Sequence, residues 1–195
     1  MRLILIRHGE TPWNASQRYQ GQTDIPLNDR GREQAARLAD YLLENEALQA
    51  IYCSDLSRAA ATADIVARPY NIRPIPDTRL REFCFGIWEG LTFNEIWEGC
   101  REDFEKWFNN FEEFCIPQGE SFTDLSERSL QAIKDIEARH SGTVAVVTHG
   151  GVIKAVLCSL QHSTDPWQDT VPPGSLTIIE LSPQHTEIHA VGLTV

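Results

Sequence analysis

Short apolar runs alternate with amphipathic stretches along most of the chain. Leu3–Ile6 is apolar throughout, and Thr143–Thr148 is β-branched except at Ala145, which is typical of strands buried on both faces of a sheet. Between these runs, apolar residues recur at helical spacing over about 29–45, directly after a candidate N-cap at Asn28. The alternation predicts strands of one sheet that are connected by helices.

The other predicted elements continue this order. They are a strand over Ala50–Cys53, a helix from Ser54–Ser57 to about Ala67, a helix from a capping box at Ser121 and Asp124 to about His140, a helix over about 152–160, and strands near 176–181 and 187–191. The whole pattern predicts an α/β fold. We expect a three-layer αβα sandwich with a mostly parallel central sheet and helices on both faces.

One stretch departs from this alternation. From about 77 to 117 the periodicity is weaker and aromatic residues are frequent, among them Trp88 and Trp107. We expect short helices here that form a small helical cap beside the sheet, as an insertion at about 83–118. Residues 1–195 are expected to form a single domain.

The composition narrows the class of protein. With 195 residues, of which 42% are hydrophobic and 23% charged, the chain is not disordered, collagen-like or a disulfide-rich miniprotein. No apolar run is long enough to span a bilayer, and Arg7-His8 interrupts the first run too early for a signal peptide. The five cysteines include no CxxC pair, which favours reduced thiols over a zinc or redox site. We therefore expect a cytoplasmic protein that does not bind a membrane.

The charge disfavours nucleic acid as a partner. There are 17 basic and 28 acidic residues, so the formal net charge is −11, whereas proteins that bind a phosphate backbone usually carry a basic face. In such an acidic chain, cations that converge at one place are informative.

Three segments with cations follow predicted strands. Arg7-His8-Gly9 comes directly after the first strand, His149-Gly150 follows the strand at 143–148, and Arg58 lies in the first turn of the helix after 50–53. In open α/β sheets, ligands bind beyond the carboxyl ends of the strands, where helix N-termini also attract anions. A structural histidine or a salt-bridged arginine is the alternative interpretation of each residue taken alone. Their coincidence favours an anion site at this edge of the sheet, because arginine binds phosphate through two parallel hydrogen bonds.

The motifs around these residues resemble a known family. Leu5-Ile6-Arg7-His8-Gly9-Glu10-Thr11-x-x-Asn14 is similar to a pattern of the histidine phosphatase superfamily, which has the phosphoglycerate-mutase-like fold. Further matching segments follow in order: Gly21-x-x-Asp24-x-Pro26-Leu27, Gly31-x-x-Gln34-Ala35, Ser54-x-Leu56-x-Arg58-Ala59-x-x-Thr62-Ala63, Leu80-x-Glu82-x-x-x-Gly86-x-Trp88-Glu89-Gly90, Gly119-Glu120-Ser121-Phe122 and Thr148-His149-Gly150-Gly151. The resemblance covers roughly residues 1–160.

The resemblance implies a catalytic role for five residues. His8 would be the nucleophile that forms a phosphohistidine, and Arg7, Arg58 and His149 would surround the phosphoryl oxygens. Glu82 would protonate the leaving group and then activate water. A surface salt bridge with Arg79 or Arg81 is the alternative interpretation of Glu82.

Four further residues would complete the site. Asn14 and the backbone at Gly150 would bind the phosphoryl group or the nucleophile, and Gln20 and Gly21 would face the rest of the substrate. The scheme needs no metal and no cofactor.

Two groups of residues outside the motifs have alternative interpretations. His185 and His189 would share a face if both lie in the last strand, where they could chelate a metal or be ordinary surface residues. The aromatic stretch from Trp88 to Phe114 could form a hydrophobic wall for a bulky leaving group or pack between the cap and the sheet. The cysteines are expected to be core and loop residues.

The cations between Glu82 and His149 bear on the reaction type. A mutase needs a second site for an anionic phosphate, and this stretch has no paired arginines; its cations are Arg101, Lys106, Arg128, Lys134 and Arg139. We therefore expect a phosphomonoester hydrolase that acts on a small phosphorylated metabolite. The chain is most similar to small phosphatases such as alpha-ribazole phosphatase, so alpha-ribazole phosphate is a candidate substrate.

Two other functions stay open at this point. They are a cofactor-dependent phosphoglycerate mutase and a non-catalytic phosphoryl-binding module. A nucleotide-binding redox or NTPase domain is disfavoured, because the chain lacks both the Gly-x-Gly-x-x-Gly pattern and a P-loop. An exposed edge strand could support a homodimer.

Overall fold

The computed structural model describes residues 1–163, 165–182 and 185–195. These residues form a six-stranded mixed sheet in the order β3-β2-β4-β1-β5-β6. The strands are β1 (Arg2–Arg7), β2 (Leu48–Cys53), β3 (Ile75–Pro76), β4 (Thr143–Thr148), β5 (Leu176–Leu181) and β6 (Thr186–Leu193).

Seven α-helices accompany the sheet in the described part of the chain. They are α1 (Pro12–Ala15), α2 (Asp29–Asn45), α3 (Ser57–Ala67), α4 (Phe93–Gly99), α5 (Arg101–Asn109), α6 (Phe122–Glu137) and α7 (Gly150–Gln161). Short 3-10 turns lie at Arg68–Tyr70, Thr78–Leu80 and Gly86–Trp88. The predicted three-layer α/β fold is confirmed.

Strand direction divides the sheet into two parts. β1, β2, β3 and β4 pair in parallel, whereas β5 is antiparallel to β1 and β6 is antiparallel to β5. In the parallel part, β1 and β4 are in register from Arg2 opposite Thr143 to Arg7 opposite Thr148. This register brings the residues that follow the two strands, His8 and His149, to the same edge.

The predicted helix starts are present in the structure. Asn28 caps α2 by accepting a hydrogen bond from the Gly31 amide, and Ser121 and Asp124 form the capping box of α6. α7 begins at Gly150, two residues earlier than the predicted start at 152, with His149 as its N-cap residue. The first turn of α7 therefore lies directly beyond β4.

Both faces of the sheet are buried. Leu3 and Leu5 face a core formed with α6 and α7, whereas Ile4 and Ile6 face a second core formed with α2 and α3. This alternation explains why the strand is apolar at every position, since neither face meets water.

The aromatic stretch forms a third cluster. Trp88 is fully buried and packs against Trp107 and Phe104, next to Leu125 of α6 and Val152 of α7. Packing is therefore one role of these aromatic residues. The limits of the cap at about 83 and 118, the single domain and a homodimer stay predictions. Within the described residues, no helix is both long and apolar enough to cross a membrane.

Candidate active site

The ends of three neighbouring strands bring the predicted residues together. The His8 amide donates to the Thr148 carbonyl at 3.0 Å, which continues the β1–β4 ladder by one bond. The rings of His8 and His149 then lie 5.0 Å apart, edge to face. Arg58 reaches the same place from the first turn of α3, which follows β2. The convergence predicted from the strand ends is present in the structure.

The hydrogen bonds of the His8 ring place its proton on Nδ1 and its lone pair on Nε2. Nδ1 lies 2.7 Å from the carbonyl oxygen of Gly9, and because that oxygen only accepts, we assign the proton to Nδ1. Nε2 accepts a hydrogen bond from Arg58 Nε at 3.3 Å. Burial, with Arg58 and Arg7 close by, holds the pKa of His8 well below its ordinary value. His8 is therefore a neutral imidazole whose Nε2 can act as a nucleophile.

Arg58 is a fully buried cation that organises the loop beside the nucleophile. Its guanidinium donates to the carbonyl oxygens of Gly21 at 2.6 Å and Thr23 at 3.0 Å. Burial lowers its pKa to about 10, so it stays charged at neutral pH. Gly21 has φ +54°, which favours glycine, and a Cβ there would lie 1.9 Å from the Glu89 carboxylate.

Arg7 and His149 present buried polar atoms without partners. Arg7 Nη1 donates to the Val171 carbonyl at 2.6 Å, but within the described residues its Nε and both ring nitrogens of His149 have no hydrogen-bond partner. Burial lowers the pKa of both residues, with Arg58 contributing at His149. Buried N–H groups without partners are costly, and the oxygens of a bound phosphoryl group would accept from Arg7 Nε and from the protonated ring nitrogen of His149. Arg7, His8 and Arg58 line one cavity, which also reaches Gly150 at the N-terminus of α7. A helix N-terminus favours an anion there.

Glu82 lies on the same cavity and is only 8% exposed. Its Oε1 accepts from the amides of Phe83 at 2.8 Å and Gly151 at 2.9 Å. A Cβ at residue 151 would approach this oxygen to 2.4 Å, so the glycine allows the carboxylate to reach the start of α7.

The surface salt-bridge interpretation of Glu82 is wrong. Arg79 pairs instead with Asp77 and Asp135, and Arg81 pairs with Asp55. Glu82 is left with its carboxyl group on the cavity.

Asn14, Gln20 and Gly21 also line the cavity. The Asn14 Oδ1 accepts from the Thr11 amide at 3.1 Å, and the Gln20 Oε1 accepts from the Thr11 hydroxyl at 2.9 Å. These bonds stiffen the loop that follows β1. Contact of these three residues with substrate stays a prediction.

The cavity, about 280 Å³ in volume, continues from the polar residues to an apolar end. We call this the aromatic end; it is lined by Tyr19, Phe83, Phe85, Trp107, Phe122, Leu125 and Trp167. Of the stretch from Trp88 to Phe114, Trp107 lines this end, and its role as a wall for a bulky leaving group stays a prediction.

Lys154 and Trp167 are among the cavity residues that sequence reasoning did not find. Lys154 donates to the carbonyl oxygens of Pro166 at 2.9 Å and Asp169 at 2.8 Å, and its Nζ lies 5.2 Å from the centre of the Trp167 ring. Burial, with Arg7 nearby, lowers the pKa of Lys154. Lys154 follows Gly150 by one helical turn, a spacing that could have identified it, whereas nothing around Trp167 predicts its position.

The histidines outside the motifs do not meet at one place. His189 lies in β6, but His185 precedes the first residue of that strand, so the shared face is not formed. His140 contacts the Tyr52 hydroxyl at 3.0 Å. In residues 1–163, 165–182 and 185–195, no three metal-ligating side chains cluster, and the five cysteines are free thiols.

Comparison with known proteins agrees with the motifs. The family model described as "histidine phosphatase superfamily (branch 1)" matches residues 3–194. The metal-independent phosphoserine phosphatase of Arabidopsis thaliana is 40% identical over 167 residues, which cover 83% of this chain and 69% of that protein.

Solved structures extend the similarity to the whole chain. YhfR of Bacillus stearothermophilus superposes with a TM-score of 0.90 at 37% identity, covering 98% of this chain and 96% of that one. The alpha-ribazole phosphatase of Shigella flexneri superposes with a TM-score of 0.88 at 30% identity, covering 99% and 96%.

Proposed function

Because the chain belongs to branch 1 of the histidine phosphatase superfamily, we propose that it hydrolyses phosphomonoesters through a phosphohistidine on His8. One observation carries the proposal. Arg7, a neutral His8, the fully buried Arg58 and Glu82 line one cavity, and the ring of His149 lies 5.0 Å from that of His8.

In the first step, His8 Nε2 attacks phosphorus in line with the ester oxygen. The P–N bond forms as the bond between phosphorus and the ester oxygen breaks, and protonated Glu82 gives its proton to that oxygen. Arg7, Arg58 and His149 donate to the phosphoryl oxygens and stabilise their charge in the transition state. The products are an alcohol, a Glu82 carboxylate and phosphohistidine.

In the second step, water takes the place of the alcohol. Glu82 accepts a proton from water as the water oxygen attacks phosphorus, and the P–N bond breaks with its electron pair returning to His8 Nε2. Inorganic phosphate leaves, and Glu82 is protonated again. Besides water, the two steps use side chains that line the cavity and His149, whose ring packs against that of His8.

The cations outside the phosphoryl site support hydrolysis over mutase activity. Among the described cavity residues these cations are Arg18 and Lys154, and both are engaged: Arg18 with Gly90 and Glu95, and Lys154 with two backbone carbonyls. A mutase must hold a second anionic group, and the aromatic end offers it apolar surface instead.

The substrate we propose is a small phosphorylated metabolite, with alpha-ribazole phosphate as the first candidate. The aromatic end suits a planar, nucleoside-like leaving group, because apolar rings stack favourably on aromatic side chains. The structural similarity to alpha-ribazole phosphatase at 30% identity supports this choice. Phosphoserine is the second candidate, supported by the 40% identity to a phosphoserine phosphatase.

A phosphate-release assay with a chelator present tests the proposal. The panel contains an aryl phosphate, alpha-ribazole phosphate, phosphoserine and 3-phosphoglycerate. We expect phosphate release that the chelator does not reduce, and the rank order of kcat/KM identifies the substrate class. Isomerisation of 3-phosphoglycerate without phosphate release would favour the mutase, and a lack of turnover on every ester would favour a binding module.

A further inference from the structure

The segment that carries Glu82 is not part of the sheet. Residues 79–85, which we call the acid segment, run from the 3-10 turn Thr78–Leu80 to the 3-10 turn Gly86–Trp88, outside every strand and α-helix. Side chains hold its backbone instead. For example, the Leu80 carbonyl accepts from the Thr148 hydroxyl at 2.8 Å.

Arg128 of α6 makes three of these bonds. Its Nη1 donates to the carbonyl oxygens of Arg79 at 2.8 Å and Arg81 at 2.6 Å. Its Nη2 donates to the carbonyl oxygen of Glu82 at 2.9 Å. One guanidinium therefore binds three carbonyl groups within four consecutive residues.

Glu120 binds both Arg128 and the acid segment. It accepts from Arg128 Nε at 3.0 Å and Nη2 at 2.6 Å, so this ion pair is bidentate. The Glu120 Oε1 also accepts from the Cys84 amide at 2.8 Å, and the Glu120 amide donates to the Cys84 carbonyl. The ion pair is thus joined to the acid segment on both sides of Glu82.

The position of the Glu82 carboxylate depends on this segment. Its Oε1 is bound to the Phe83 amide of the acid segment and to the Gly151 amide of α7. A shift of the segment therefore moves the carboxylate relative to His8 and the phosphoryl site. Proton transfer requires hydrogen-bond reach, and displacements near 1 Å can cost about 100-fold in rate.

We propose that Arg128 is a positioning residue for the reaction, which sets the Glu82 carboxylate at the distance needed to protonate the leaving group. This inference rests on the proposed function. Lysine cannot replace Arg128, because an ammonium lacks the planar fork that binds three carbonyls and a carboxylate together.

The test compares esters that differ in their need for an acid. 4-Nitrophenyl phosphate has a good leaving group, whereas phenyl phosphate has a poor leaving group of similar shape. Because kcat/KM reports only the steps up to formation of the phosphoenzyme, we expect Arg128→Lys to lower kcat/KM on phenyl phosphate by about tenfold more than kcat/KM on 4-nitrophenyl phosphate, in the direction of Glu82→Gln. A merely structural defect would lower both rates by the same factor.

Arg79→Met is the matched control. Arg79 also links the acid segment to α6, through Asp135 at 2.6 Å, but its guanidinium does not contact Glu82. We expect this variant to keep the wild-type ratio of the two rates. Thermal unfolding of each variant shows whether the fold is intact, and Arg128→Gln replaces Arg128→Lys if the latter does not fold.

The outcomes separate this inference from the proposed function. If the wild type hydrolyses both esters and Glu82→Gln is selective for the poor leaving group, but Arg128→Lys loses both activities equally or neither, the positioning role is wrong. If the wild type releases no phosphate, the proposed function itself fails.

Discussion

The two ends of the cavity are built in different ways. At the polar end, Arg7, His8 and His149 are placed by adjacent parallel strands in fixed register, and Arg58 by the helix after a third strand. At the aromatic end, the lining comes from separate segments. They include Trp167, in the chain after α7, and the irregular chain around Phe85.

This difference suggests that the polar end carries out the reaction and that the aromatic end selects the substrate. A side chain at the end of a buried strand has little freedom, so the polar end is a rigid frame for one reaction. The aromatic end includes Trp167, which is 48% exposed and is held through the bonds of Lys154 to Pro166 and Asp169. Substitutions at the polar end should therefore affect every substrate, and those at the aromatic end only some.

The largest effect is expected at the nucleophile. His8→Ala removes the atom that accepts the phosphoryl group, so kcat should fall by at least about 10⁴-fold on every ester. His189→Ala, outside the cavity, should leave kcat unchanged. A wild-type rate in folded His8→Ala would contradict the assignment of the polar end.

Arg58→Ala should give the next largest effect. The variant loses a donor to the transition state, and kcat should fall by about 100-fold to 1,000-fold with little dependence on the leaving group. Rates measured over the ester panel test this, with Arg30→Ala as a surface control. Loss on one ester alone would assign Arg58 to specificity instead.

The pH dependence tests the electrostatics of the same end. A histidine with an ordinary pKa of about 6.5 would be neutral in only roughly 3% of molecules at pH 5. Because burial and two arginines lower the pKa of His8, we expect its protonation not to limit kcat/KM between pH 7 and 5. In Arg58→Ala the pKa rises, so the acid limb should move to higher pH.

The same lowered pKa values should make the folded protein less stable as the pH falls. The unfolded chain binds protons at His8 and His149 as the pH falls below about 6.5, and the folded state does not, so the free energy of unfolding should decrease in this range. Urea unfolding at several pH values measures the slope, which should be smaller in His8→Ala. A slope unchanged by that substitution would contradict the lowered pKa of His8.

The smallest effect is expected at the aromatic end. Trp167→Ala should raise KM for aryl phosphates by roughly threefold to tenfold, as an aromatic contact is lost, and leave phosphoserine unchanged. Trp97, which is 37% exposed but does not line the cavity, provides the control as Trp97→Ala. Equal KM changes for aryl phosphates and phosphoserine would show that the two ends are not separate.

The same contrast explains what the sequence could predict. Arg7, His8 and His149 follow apolar runs that are unmistakable as buried strands, and the carboxyl ends of parallel strands meet at one edge. Arg58 was predictable because it lies in the first turn of a helix after such a strand. Local pattern was sufficient to bring these four residues together, whereas Glu82 was found only through the family resemblance.

Other features depend on contacts that local pattern does not contain. Trp167 lies in a stretch without periodicity, and its position follows from the bonds of Lys154 to nearby carbonyls. Arg128 is, in the sequence, an ordinary cation on a helix, and its three carbonyl partners lie 46 to 49 residues away. The antiparallel direction of β5 and β6 was likewise not predicted, since the strand pattern does not state direction.

Trapping of the covalent intermediate tests the central claim most directly. In Glu82→Gln, an activated aryl phosphate needs no acid for the first step, but the second step lacks its base, so phosphoenzyme should accumulate. After an alkaline quench, which preserves phosphohistidine, peptide mass spectrometry locates the phosphoryl group. We expect it on His8, and a phosphoryl group on another residue, or none during turnover, would contradict the mechanism.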